Sequence, residues 1–283
     1  MKTAVEYRLE KEKLLSTYET RVREWLKSND APEYIADNIP YYRDGVVCPE
    51  VWFSEGNDFR PLFVLKEVSL GTDTVDGLKK YNETWGNQRS FEFVENPFDD
   101  IQVGTFSQWK RVATLAKGLE DIHRGCDESD YYGSDKDFSF IPGDVYAGHI
   151  TGYNDSSYSP RNGNKNYNDI IKKIAVLELK KVGGGTAANT ELSIATKYYT
   201  EHIAPFEDLL LEQIRLIDPT VIICLGRENG QCTRYLLKNI EALLKDIIWI
   251  DGYHHIMSSN EKFYYGPLRE YKQQLRNHPY SVE

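Results

Sequence analysis

The stretch DPTVIICLGRENG, residues 218–230, decides the reading of this chain. Asp218-Pro219 stops the helical pattern that runs up to about residue 217, because proline lacks the amide donor that a helix needs and clashes with the preceding turn. Residues 221–224 then form an unbroken apolar run, the mark of a strand covered on both faces. A helical pattern follows over 228–245, and the run IIWI at 247–250 reads as the next strand.

Working outward, the same signature recurs upstream. PLFVL at 61–65 opens on a proline and ends at Lys66-Glu67, and IAVLEL occupies 174–179. Four short apolar strands separated by helices or long connections predict an α/β protein with a mostly parallel sheet. Residues 4–27 repeat apolar side chains at helical spacing, DGVVCPEVWF at 44–53 has the character of a short strand or hairpin, and a terminal helix covers about 264–276. Between the first two strands, residues 72–165 read as a long insertion containing one convincing helix, 105–119. The expected organisation is a single domain over 1–283, with an N-terminal helix and hairpin decoration at 1–58 and the core at 60–276.

Composition narrows the class. With 283 residues, 40% hydrophobic and 28% charged, the chain is large enough to bury a real core and has the balance of an ordinary globular protein. No apolar run approaches the roughly 20 residues that cross a bilayer, and MKTAVEYRLEKEKLL carries charges where a signal peptide is apolar, so the expected location is cytoplasmic with no membrane partner. Cys48, Cys126, Cys224 and Cys232 show no CxxC pairing, which argues against a disulfide framework, a zinc site or an iron-sulfur cluster. A formal charge of −10, from 34 basic and 44 acidic residues, repels a polyanion unless basic side chains gather on one face. Nucleophile-elbow and HExxH motifs are absent from the sequence, and no cofactor or metal is expected.

In open parallel sheets ligands bind beyond the carboxyl ends of the strands, so the informative residues follow each apolar run. These are Lys66-Glu67, then Lys180-Lys181-Val182-Gly183-Gly184-Gly185-Thr186, then Gly226-Arg227, and finally Asp251-Gly252-Tyr253-His254-His255. The triple glycine lets a backbone approach an anion. Lys180, Lys181, Gly183, Gly184, Thr186 and Arg227 are therefore the candidates for phosphate or backbone contact, although the spacing matches neither GxxxxGK[ST] nor GxGxxG. The plainer alternatives are a loop that simply turns and lysines on a solvated face.

Taken together, the Lys-Glu turn after the first strand, ELKKVGGG at the second, DPTVIICLGRENG around the third and the His-containing loop after the fourth resemble the uracil-DNA glycosylase superfamily over residues 60–276. That resemblance implies a three-layer α/β/α sandwich on a short four-stranded sheet and a DNA-repair hydrolase that cuts the bond between a damaged or modified base and its deoxyribose. It assigns Glu67 the carboxylate that orients water or steadies the cationic sugar, and His254 the donor to the base oxygen that gains charge. Lys66 and His255 stand beside them at the base. Glu178 falls where an Asn reads uracil; an ionised carboxylate only accepts hydrogen bonds, so a base with an exocyclic amine is the expected preference. The chain departs from the superfamily pattern at His255-Ile256, where Pro-Ser is usual. Two other functions fit the same residues: a catalytically idle relative that binds a nucleic acid, a nucleotide or a protein, and a hydrolase of small nucleosides or nucleotides. Glu178 paired with Lys180 or Lys181 is the structural alternative for that residue.

Overall fold

The computed structural model of the chain describes residues 2–29, 31–65, 72, 74–85, 88–90, 106–125, 170–182, 203–227, 233–253 and 266–276. Its centre is a five-stranded mixed sheet in which β2 (Gly45–Val46), β5 (Ala175–Glu178), β3 (Pro61–Leu65), β6 (Val221–Arg227) and β7 (Ile248–Tyr253) lie side by side in that order. β5, β3, β6 and β7 are parallel, while β2 pairs antiparallel with β5 through Gly45↔Val176 and Val46↔Ala175. The sheet thus has one strand more than the four expected, and the extra strand reverses direction. A second, two-stranded sheet pairs β1 (Tyr41–Arg43) with β4 (Gln88–Ser90).

Side chains alternate across the pleat, and each face carries its own core. Leu62, Val64, Leu177, Ile222 and Cys224 share one face with α1 (Ala4–Ser28), α2 (Glu33–Asn38) and α6 (Glu207–Ile217). Phe63, Val176, Ile223, Leu225 and Ile250 face the other way, against α5 (Phe106–His123) and α9 (Gly266–Leu275). Helix α1 begins with a capping box, in which Thr3 Oγ1 accepts from Glu6 N at 3.2 Å and Glu6 Oε2 accepts from Thr3 N at 2.8 Å. Its buried stripe, Tyr7, Leu14, Leu15, Tyr18, Val22 and Leu26, packs onto the sheet and α6. Helix α6 ends where the proline requires, with Asp218 as a left-handed cap at φ 54°.

Two expected elements take a different form. Residues 44–53 supply β2 and then turn into α3 (Pro49–Trp52), because Pro49 occupies the first helical position and Trp52 is drawn inward, its Nε1 donating to Ile217 O at 2.8 Å. The single helix expected over 228–245 is, in its described part, two short ones, α7 (Thr233–Leu236) and α8 (Lys238–Leu243). The insertion contributes α4 (Val75–Trp85), β4 and α5 to the description.

Both outer strands are sealed by helix side chains. An edge strand offers unpaired amides and carbonyls to other chains. On β2, Val46 N donates to the buried Tyr7 OH at 2.8 Å. Gly45 permits that approach: its φ is 140°, and a Cβ there would lie 2.3 Å from Tyr7 OH. On β7, Asp251 N donates to Glu270 Oε2 at 3.2 Å and Gln274 Nε2 donates to Trp249 O at 2.7 Å. Tyr7→Phe removes the acceptor and strands a buried amide, so it should lower the unfolding free energy by about 1–3 kcal/mol. Urea titration measures this, and an unchanged midpoint would show that Val46 N has another partner.

Candidate functional site

Levelled strand ends define the candidate site. Leu65 stands opposite Glu178, Val64 opposite Cys224, and Cys224 opposite Asp251, so the four parallel strands finish at a common carboxyl edge. In chain order β3 comes first, β5 is laid on one side of it, and β6 and β7 on the other. The topological switch point is therefore between β3 and β6, the usual place for a crevice. Just past Cys224, its last residue paired with β3, β6 shifts register against β7 before Arg227, with Gly226 at φ 109°, a conformation that favours glycine. Thr233 Oγ1 fastens the turn by donating to Leu225 O at 2.9 Å.

Beyond β5 the chain bows outward. Residues 175–176 pair with β2, and the ladder resumes only where Tyr42 N donates to Lys181 O at 2.8 Å and Tyr41 bridges Val182. The intervening segment on the β5 side is longer than the one it faces, so the backbone ladder opens. The Asp44 side chain fills the opening. Its carboxylate accepts from Glu178 N, from Lys181 Nζ at 2.5 and 2.7 Å, and from Gln213 Nε2 at 2.7 Å. Asp44 and Lys181 are both fully buried, and Lys181 Nζ lies 5.7 Å from the centre of the Tyr18 ring. Burial pushes the Lys181 ammonium down, against the pull of Asp44 and Glu178.

The β7 end is held by a second cluster. Arg234 on α7 lies 2.6 Å from Glu241, 3.3 Å from Glu270 and 3.7 Å from Asp251. Burial pushes the Glu270 carboxyl above its usual range; Asp251 adds to this charge repulsion, while the Asp251 amide and Arg234 oppose it. Three acids around one guanidinium leave this corner negative.

The sequence candidates fall into three groups. Glu178, Lys180 and Lys181 come together in the bow, all buried, at 1%, 4% and 0% exposure. Lys181 thus faces Asp44 inside the protein and does not stand on a solvent-facing basic patch, and Lys180 is withdrawn from solvent with it. Arg227 closes β6 in register with Tyr253. Lys66, Glu67, Gly183, Gly184, Thr186, His254 and His255 lie outside the described residues, as do Cys126 and Cys232. Cys48 is a half-buried free thiol and Cys224 a buried one. Among the described residues, no group of three His, Cys, Asp or Glu side chains is placed to hold a metal, and no helix is long and apolar enough to cross a membrane.

Sequence reasoning missed Asp44, Gln213, Arg234 and Glu270. Gln213 did carry a signal, since it sits on the apolar stripe of α6 beside Leu210, Ile214 and Ile217. Asp44-Gly45 reads locally as an ordinary turn, which hides its buried partner 137 positions away. No family model, curated protein or solved structure matches this chain.

Two measurements test the clusters. Lys181→Met leaves Asp44 as a buried charge without its counter-ion and should cost about 3–5 kcal/mol of unfolding free energy. The double variant Asp44→Asn/Lys181→Met should recover at least half of that loss; a single-variant cost within experimental error would mean the pair is not buried. At Glu270 the folded-state affinity for a proton exceeds that of the unfolded chain, so this group stabilises most below the ordinary carboxylate range and its contribution is lost as pH rises through the raised value. Melting curves should therefore show Glu270→Gln gaining on wild type as the solution is taken from pH 4 to pH 7, and a gap that narrows would contradict the assignment.

Proposed function

We propose that this chain is a divergent protein of the uracil-DNA glycosylase type and hydrolyses an N-glycosidic bond at the carboxyl edge of its sheet. The observation that carries this reading is the level finish of β5, β3, β6 and β7. Glu67 follows Leu65 by two residues and His254 directly follows Tyr253, so both belong to segments that leave this same edge. Breaking the bond creates a cationic sugar and an anionic base. A carboxylate serves the first, by orienting water or by charge, and an imidazole donor serves the second. Lys66 and His255 are the neighbours through which the base or the charge of Glu67 is tuned. The base is presented either in DNA, as in repair, or in a nucleotide.

One observation favours a second reading, a binding protein without catalysis. Glu178, the residue assigned to read the base, is buried, its amide is bonded to Asp44, and its charge acts on Lys181. Those are the ties of a scaffold residue.

A base-release assay over uracil, cytosine, adenine and hypoxanthine, each offered in oligonucleotides and as nucleosides, separates the two. The hydrolase reading expects turnover that Glu67→Gln lowers at least about 100-fold and His254→Ala by about 100- to 1,000-fold, with unchanged melting temperatures. Ligand binding with no release by wild type would establish the second reading instead.

A further inference from the structure

We infer that the substrate of this edge is a small nucleoside-like molecule of low charge and not a DNA strand, an inference that rests on the N-glycosidic reading and narrows it. A protein that acts on a strand must neutralise several phosphates, each contact releasing counterions and contributing to a steep salt dependence. The carboxyl edge is built in the opposite sense. Two of its described basic side chains are spoken for: Lys181 is enclosed with Asp44, and Arg234 is surrounded by Glu241, Glu270 and Asp251. Elsewhere among the described residues the guanidinium groups of Arg8, Arg21, Arg23, Arg43 and Arg60 each face a carboxylate within 2.8 Å.

The segments that follow the four parallel strands add no compensating charge. Residues 66–71, 183–202, 228–232 and 254–265 together hold five acidic and three basic residues. Between α4 and β5 the sequence is more acidic still, with four acids and no base over 91–105 and eight acids against three bases over 126–169. The excess of acids is a property of the sequence itself, so a polyanion approaching these segments meets repulsion unless their few basic side chains gather on one face. A nucleoside carries no phosphate and feels none of it. Recognition then falls to hydrogen bonds and stacking within a pocket, which suits a site whose acids already outnumber its bases.

The test compares one base in two contexts. Release from the free nucleoside and from an oligonucleotide is followed at 50 and 200 mM NaCl, and binding of a fluorescein-labelled oligonucleotide is followed by anisotropy. The expected result is a kcat/KM at least about 100-fold higher for the nucleoside, changing less than about twofold with salt, and no oligonucleotide binding below about 10 μM at 150 mM NaCl. Faster release from the oligonucleotide, or its binding below about 1 μM, would overturn this inference and leave the N-glycosidic reading intact. Release from neither removes the N-glycosidic reading, and binding alone then decides: a nucleoside that raises the melting temperature while the oligonucleotide stays free upholds the small-ligand class, and any other pattern overturns it.

Discussion

Asp44 and Lys181 bring one charge of each sign into an interior closed to water, and much of the architecture around the candidate site follows from that contact. Burying such a pair costs desolvation energy that apolar side chains of similar size would avoid, so its presence is better explained by what it positions than by net stability. Here it bridges a break in a β-ladder. The carboxylate takes the Glu178 amide where β2 has run out, and the lysine anchors the far side of the bow just before pairing resumes with β1. Gln213 joins α6 to the same carboxylate. The β2 turn, β5 and α6 are thereby fixed to one point at the carboxyl edge.

The other end of the sheet is held by the same kind of device in a wetter setting. Glu270 and Gln274 stand in for a missing strand along β7, and Arg234 ties α7 to β7 and α9. With β5 and β7 both pinned, the β3 and β6 ends between them have rigid walls on each side, the condition under which catalytic groups on loops can be placed reproducibly. The register shift around Gly226 lies on the β7 side of β6, just past the last residue paired with β3.

These devices also set the electrostatics. Each anchoring cation is paired with the acids that it organises, so the contacts that pin β5 and β7 also take up the charge of Lys181 and Arg234. A nucleic-acid enzyme commonly keeps its guanidinium and ammonium groups facing outward to meet phosphates. This chain spends Lys181, Arg234 and the guanidinium groups of Arg8, Arg21, Arg23, Arg43 and Arg60 on ion pairs, which is why the small-substrate reading and the fold belong together.

The apolar runs at 61–65, 221–224 and 247–250, the proline stop at 219 and the helical stripe of α1 were legible from sequence, because each is a local pattern in which burial on two faces or one shows directly in neighbouring residues. Those patterns determined that this is an α/β protein and which residues end its strands. They did not reveal the antiparallel β2, since two residues leave no periodicity, nor the conversion of residues 49–52 into a helix. Asp44, Gln213, Arg234 and Glu270 were invisible as a site for a different reason. Their meaning lies in partners up to 169 positions away, and a carboxylate in a buried ladder gap has the same local sequence as one in a surface turn. Only the packing of β2, β5 and α6 decided that Lys181 points at an acid and not at solvent, because desolvation and ion pairing act through space and leave no trace along the chain.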